Sequence, residues 1–203
     1  MNNQISSANY KEKMQRRKEI QEQRLAQMTD NKGLIIVHTG NGKGKTTAAL
    51  GMVIRSLGHG YKVAIIQFIK GAWTPAEKNV LEQWSDQLEF YAMGEGFTWE
   101  TQDRERDIIN ASKAWEKAQE FIFNSEYKLV LLDEINIALK LDYLDLDEVL
   151  KTLAEKPIDT HVILTGRGAK PELIEMADLV TEMKLIKHPF KEQGIKAQAG
   201  IEY

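Results

Sequence analysis

The sequence predicts an α/β fold: a mostly parallel sheet with helices on both faces, preceded by an N-terminal helical arm. Three observations carry this. Short apolar runs rich in Val, Ile and Leu recur at residues 34–37, 63–68, 129–132 and 162–165. They are continuous rather than alternating, as strands buried on both faces are. Longer segments with helical spacing separate them, and strands alternating with helices build a parallel sheet. The first run also stops at a glycine-rich turn that opens into a helix-forming segment, a strand–loop–helix unit.

The elements follow in order. Residues 1–28 favour helix, being rich in Gln and Met and free of Pro and Gly. After the first strand a helix is expected over 46–57, ended by Gly58-His59-Gly60 through a glycine at its C-terminus. A buried strand at 63–68 leads through 69–73 to a helix at 76–84, a short strand at 88–91 and a loop at 93–101. Residues 103–124 read as a long amphipathic helix, with Ile108, Ala111, Trp115, Ala118 and Ile122 at spacings of three and four. The strand at 129–132 ends in Asp133-Glu134. A helix at 146–154, a strand at 162–165, a helix from Pro171 and a strand near 179–180 complete the alternation. The tail, 195–203, is expected to add an edge strand.

At 203 residues the chain fits one α/β domain, 31–203, carrying a basic arm, 1–30. A hydrophobic content of 42% and a mean hydropathy of −0.42 describe a globular protein. No apolar run approaches the ~20 residues of a membrane span, and no leader resembles a signal peptide. No membrane partner and a cytoplasmic location are expected. Without cysteine there is neither disulfide nor thiolate metal site. A net charge of −3 argues against a dedicated nucleic-acid binder. The arm alone is basic, with Lys11, Lys13, Arg16, Arg17, Lys18 and Arg24 against Glu12, Glu19 and Glu22. Its few apolar residues suit either a solvated arm or a helix that docks on a partner subunit or closes over a site.

The turn reads Thr39-Gly40-Asn41-Gly42-Lys43-Gly44-Lys45-Thr46-Thr47. In a phosphate-binding P-loop, backbone N–H groups turn inward around phosphate oxygens and the helix N-terminus adds partial positive charge. Lys45 supplies a full charge, and Thr46 or Thr47 a hydroxyl for Mg²⁺. The expected class is therefore P-loop NTPase-like (RecA-like). The usual motif has four residues between its first Gly and the Gly-Lys pair, whereas three follow Gly40. The shortening changes how the loop wraps, without settling the chemistry.

Ligands of such sheets collect beyond the carboxyl ends of the strands. Asp133-Glu134 lies there in the context of a Walker-B acid, able to hold Mg²⁺ or its water shell. The pair alone does not separate hydrolysis from transfer. Arg167, between Gly166 and Gly168, suits bidentate phosphate contact but equally a solvated turn; Arg55 and Lys43 are weaker candidates. Phe97 and Trp99, like Trp73, fit either packing on the domain's own surface or a large planar ligand. His38, His59, His161 and His188 show no metal-ligand spacing. No N-K-x-D motif reads a guanine base.

Taken in order, T-G-N-G-K-G-K-T-T-A-A, V-x-x-x-Q-F-I-K-G-x-W, G-F-T-W-E-T, L-D-E, T-G-R-G and K-A-Q-x-G-I-E-Y, spanning roughly 33–203, resemble the bacterial ATP:corrinoid adenosyltransferases of the P-loop type. The resemblance implies transfer of the 5′-deoxyadenosyl group of ATP to Co(I) of a reduced corrinoid, cobalamin or cobinamide, with release of triphosphate. It implies ATP held reversed, presenting ribose C5′ outward. By position, Gly40, Asn41, Gly42, Lys43, Gly44, Lys45 and Thr46 would cradle the triphosphate, with Thr47 beside them, and Asn41 would also help place the ribose. Lys45, Thr46 and Glu134 would be the catalytic residues. Thr46 and Glu134, supported by Asp133, would serve Mg²⁺ or Mn²⁺, while Arg55 and Arg167 balance phosphate charge. Phe97 and Trp99 would sit against the corrinoid and help displace its lower axial ligand. The resemblance further implies a homodimer, an N-terminal helix able to cover the active site, and a reduced flavoprotein as electron donor.

Overall fold

The computed structural model describes residues 7–27, 31–69, 76–93 and 103–201. Its contacts fall into two units, Met1–Asn31 and Lys32–Tyr203. In the first, α1 (Ser7–Ala26) is a polar helix. Its register is supported by a Gln15–Glu19 hydrogen bond and a Lys18–Glu22 ion pair, both four residues apart, a spacing that places side chains on one face.

In the second unit the elements run β1 (Ile35–Thr39), α2 (Lys45–Gly58), β2 (Lys62–Gln67), α3 (Ala76–Leu81) with a 3₁₀ turn at Glu82–Trp84, β3 (Leu88–Ala92), α4 (Arg104–Phe123) and β4 (Tyr127–Asp133). Then come α5 (Ile135–Lys140), α6 (Leu146–Glu155), β5 (His161–Thr165), α7 (Pro171–Met176), β6 (Leu179–Glu182) and α8 (Pro189–Gln193). The six strands form one sheet in the order β3-β2-β4-β5-β1-β6, every adjacent pair parallel. Strand β5 lies between β1, which feeds the glycine loop, and β4, which ends in Asp133. The parallel sheet with helices on both faces expected from the sequence is thus present.

Both faces of the central strands β1, β2, β4 and β5 are buried, which is why those strands read as unbroken apolar runs. On one face Ile36, Val63, Ile65, Leu129, Leu131 and Ile163 pack against Ala49, Leu50, Val53 and Leu57 of α2. On the other, Val37, Ile66, Leu132 and Leu164 meet α4, α5, α6 and α7. Asp103 caps α4 by accepting from the N–H of Arg106, and Asp145 caps α6 by accepting from that of Asp147; such oxygens satisfy orphan donors of the first turn. Trp115 fixes α4 to α6: its ring is buried and its indole N–H donates to Glu148 at 2.9 Å.

Two local expectations change. The tail forms no strand over 195–201; the chain instead makes α8, which ends at Gly194 in the left-handed conformation. The sheet's edge is β6, exposed on both faces. An additional helix, α5, follows Asp133-Glu134 at once. Six residues are too few for a helical period to stand out from the apolar run before them.

Replacing Trp115 with Ala removes a buried indole and strips Glu148 of its donor. The expected loss is about 3–5 kcal/mol of unfolding free energy, measured by urea denaturation; a change below about 1 kcal/mol would contradict this packing role.

Candidate active site

The α2 face of the sheet is apolar along its length and turns polar at the carboxyl edge. His38 of β1, Gln67 of β2, Asp133 of β4 and Thr165 of β5 share the side-chain parity of Ile36, Ile65, Leu131 and Ile163 respectively. Registers pair His38 with Thr165 and Gln67 with Asp133. Four polar side chains thus stand in a row under the N-terminus of α2.

Asp133 is the centre of that row and is almost fully buried. Its Oδ1 accepts from the hydroxyls of Thr46 at 2.9 Å and Thr165 at 2.7 Å, and its Oδ2 accepts from Nε2 of Gln67 at 3.0 Å. Thr165 Oγ1 also accepts from the backbone N–H of Glu134 at 3.0 Å. One hydroxyl therefore ties β5 to the acidic corner of β4.

Glu134 adopts a left-handed backbone, φ 61°, unusual for a residue with a Cβ. That twist turns the chain into α5, and Oε2 of Glu134 is buried without a partner. Burial and, after it, the negative charge of Asp133 together raise the carboxyl to about 7, against Lys45 and Arg167, which lower it. Gly166 completes the corner: with φ +126°, a Cβ there would lie 3.0 Å from both Glu134 Oε2 and Asn136 Cβ. Asn136 donates to Gly166 O at 3.2 Å, holding the turn that carries Arg167.

The glycine loop faces this corner. Lys45 is buried and donates to the carbonyls of Gly40 at 2.9 Å and Gly42 at 2.5 Å. Burial lowers the Lys45 pKa below the ordinary lysine value, as do Arg167 and Lys43, while Glu134 and Asp133 raise it. His38 Nδ1 lies 3.2 Å from Lys45 O. The sequence reading expects the loop's amides to face phosphate, but the N–H of Gly42 donates outward, to Met183 O at 2.6 Å.

The structure therefore brings together Gly40, Gly42, Gly44, Lys45, Thr46, Asp133, Glu134 and Arg167. Asn41, Lys43 and Thr47 are exposed beside them. Arg55 is not part of the group. It is exposed in the last turn of α2, ten residues and so about 15 Å along the axis from Lys45, and it is not among the charges acting on Lys45. Phe97, Trp99 and Trp73 lie outside the described residues. Roles for Gln67, Thr165 and Asn136 are absent from the sequence reading. The signal for the first two is a polar residue at the end of an apolar strand, in phase with that strand's α2 face. Asn136 carries no such signal.

The donor set fits a hard divalent cation. The hydroxyl of Thr46, both acids and one orphaned buried carboxylate oxygen are oxygen ligands of the kind Mg²⁺ and Mn²⁺ take. Opposite them, Lys45 and Arg167 suit a polyanion. A cationic loop facing a carboxylate corner is the chemistry of a nucleoside triphosphate with its metal.

Residues 31–203 match the family model described as ATP:corrinoid adenosyltransferase BtuR/CobO/CobP, and residues 1–25 match that described as Cob(I)alamin adenosyltransferase N terminal. The chain is 58% identical over 193 residues to a corrinoid adenosyltransferase of Sinorhizobium sp, covering 94% of this chain and 90% of the relative. It is 50% identical to the corrinoid adenosyltransferase of Pseudomonas aeruginosa, covering 96% and 95%. It is 46% identical to that of Escherichia coli strain K12, covering 98% and 100%.

The corner makes a pH prediction for the protein free of metal and nucleotide. Glu134 ionises near 7 when folded and near 4.5 when unfolded. Its contribution to stability is fully present below pH 4.5 and is lost as pH rises through about 7. Glu134→Gln should flatten the fall of Tm between those values and stabilise the protein at pH 8, by up to about 3 kcal/mol. Parallel Tm profiles for the two proteins would show that the carboxyl is not desolvated.

Proposed function

The chain belongs to the ATP:corrinoid adenosyltransferase family, and on that premise we propose that it transfers the 5′-deoxyadenosyl group of ATP to the Co(I) centre of a corrinoid. Co(I) attacks ribose C5′, the C5′–O5′ bond breaks, and inorganic triphosphate leaves with the bonding electron pair. Cobalt is formally oxidised to Co(III) and adenosylcobalamin, or its cobinamide counterpart, is formed. The observation that carries the reading is the convergence of Lys45 and Arg167 on the same corner as Thr46, Asp133 and Glu134.

The residue roles follow from that chemistry. The attacking centre belongs to the substrate, so the protein's tasks are placement, neutralising charge on the leaving triphosphate and keeping water from Co(I). Lys45 and Arg167 offset the growing phosphate charge, and Gly40, Gly44 and Thr46 hold the loop against the polyphosphate, with Asn41 beside the ribose. Thr46, Asp133 and Glu134 would hold Mg²⁺ or Mn²⁺, which when bound shields the triphosphate. Phe97 and Trp99 are assigned to the corrinoid by the family's motif; removal of the lower axial ligand makes Co(II) easier to reduce. The proposal extends to a homodimer, a reduced flavoprotein donor, an N-terminal arm (1–30) able to cover the site of the main domain (31–203), and a cytoplasmic location. No described helix is long and apolar enough to cross a membrane.

A hydrolytic ATPase or a phosphotransferase would use the same loop and acids, and the products separate the three. Adenosyl transfer predicts triphosphate, formed only with reduced corrinoid present, whereas ADP points to one of the others. Lys45→Ala should reduce triphosphate release at least a hundredfold; near-normal turnover would rule out the charge role. Trp99→Ala should impair conversion of Co(II) substrate at least tenfold more than conversion of pre-reduced Co(I). Equal losses with both substrates would remove the axial-ligand role.

A further inference from the structure

The backbone of Gly42 is gripped from two sides, through two successive peptide groups. On the inner side its carbonyl accepts from Lys45 Nζ. On the outer side its N–H donates to Met183 O, and the N–H of Met183 donates in turn to Thr39 O at 2.8 Å. Met183 is the first residue past β6, and these two bonds carry the β1–β6 ladder one step beyond the ends of both strands. The loop folds back over that extension rather than standing free.

The contact is backbone on backbone. A Cβ at Gly40 would lie 2.5 Å from Met183 O and 2.8 Å from Met183 N, and one at Gly42 would lie 2.6 Å from Met183 O and 2.8 Å from Lys184 O. Gly40 also has φ +94°, so geometry and crowding both demand glycine there. Gly42 has no positive φ; crowding by Met183 and Lys184 alone demands it. The Met183 sulfur comes to 3.5 Å from where a Cβ on Gly44 would lie. All three loop glycines therefore face one residue, Met183, just past the edge strand.

We propose that Met183 is a positioning residue for the phosphate loop, its backbone fixing Gly42 so that the N–H of its preceding peptide points away from the polyphosphate while the C=O of its following peptide meets Lys45. The consequence is specific. An amide that would bond a phosphate oxygen is withdrawn, and two of the three N–H bonds of the Lys45 ammonium are spent on the loop. The remaining one is the donor left for the triphosphate. The grip on the leaving group thus depends on a C-terminal edge strand that bears none of the motif's residues. The inference rests on the reading that this loop holds the triphosphate of ATP.

The test needs no corrinoid, so its outcome is separate from that of adenosyl transfer. Backbone amide exchange is followed by NMR on the full chain, free and with inorganic tripolyphosphate. The Gly42 amide should be protected at least tenfold without ligand and barely shift on titration, while the Gly44 and Lys45 amides move. Free exchange of Gly42, or a shift as large as theirs, would overturn the proposal. Met183→Pro deletes the N–H that bonds Thr39, breaking that rung of the ladder while keeping the carbonyl that Gly42 uses. It should speed Gly42 exchange at least tenfold and weaken tripolyphosphate binding about tenfold. In turnover it should raise KM for ATP more than it lowers kcat. Binding within twofold of the unaltered protein would also overturn the proposal, and if the variant fails to fold, the exchange measurement on the unaltered chain decides alone.

Discussion

The Asp133 carboxylate is the constraint on which the rest of the site depends. It is buried where four chain segments converge, and three side-chain donors from α2, β2 and β5 hold it there. A charge so placed is costly unless it is bonded. Each bond to it is worth roughly 1.5–3 kcal/mol in isolation, and together they lock the relative positions of the segments. Through Thr46 they set where α2 begins, through Thr165 where the Arg167 turn leaves β5, and through Gln67 where β2 ends. Removing any donor leaves the carboxylate less compensated, so the site is rigid because its charge is expensive.

Beside that fixed charge, Glu134 is held in an unfavourable state. Its left-handed backbone, buried unpaired oxygen and raised pKa all cost folding free energy. Strain of this kind persists where the surrounding structure over-determines it. Here the Asp133 network on one side and the Gly166 turn on the other leave no alternative path for the chain. A cation placed among these oxygens would relieve the cost directly, because its positive charge replaces the stabilisation of the carboxylate that was lost with water. On the proposed reading, part of that cost would be relieved only on ligand arrival, which would favour metal and triphosphate binding together.

Much of this was legible in the chain. The continuous apolar runs gave a parallel sheet, because strands covered on both faces have no polar side to alternate with, and the sheet has that form. Strand–loop–helix spacing located Lys45 and Thr46, and the end of the fourth strand located Asp133 and Glu134, since ligand contacts in parallel sheets cluster at one edge. What was not legible depends on register between distant strands. Whether Gln67 meets Asp133 is decided by how β2 and β4 align, which no local pattern records. The tail was expected to pair as a strand, yet Gly194 and α8 turn it aside and β6 is left as the edge. Arg55 shares the motif-bearing helix but sits at its far end, so helical rise, rather than residue type, separates it from the loop.

The shortened loop follows from the same constraint. Asp133 pins the start of α2 through Thr46, and the ladder between β1 and β6 pins Thr39 through Met183. The chain must span those fixed points with one residue fewer than the usual motif. It does so by turning at once at Gly40 and lying against the chain just past β6, so that Gly42 gives its N–H to Met183 and its carbonyl to Lys45. Lys45 then serves first as the loop's internal clasp and second as a ligand for anions. On the proposed reading, a loop so arranged would hold a polyphosphate with fewer amides and would depend more on discrete charges, Lys45, Arg167 and a cation. Those charges can stabilise a triphosphate leaving as a unit.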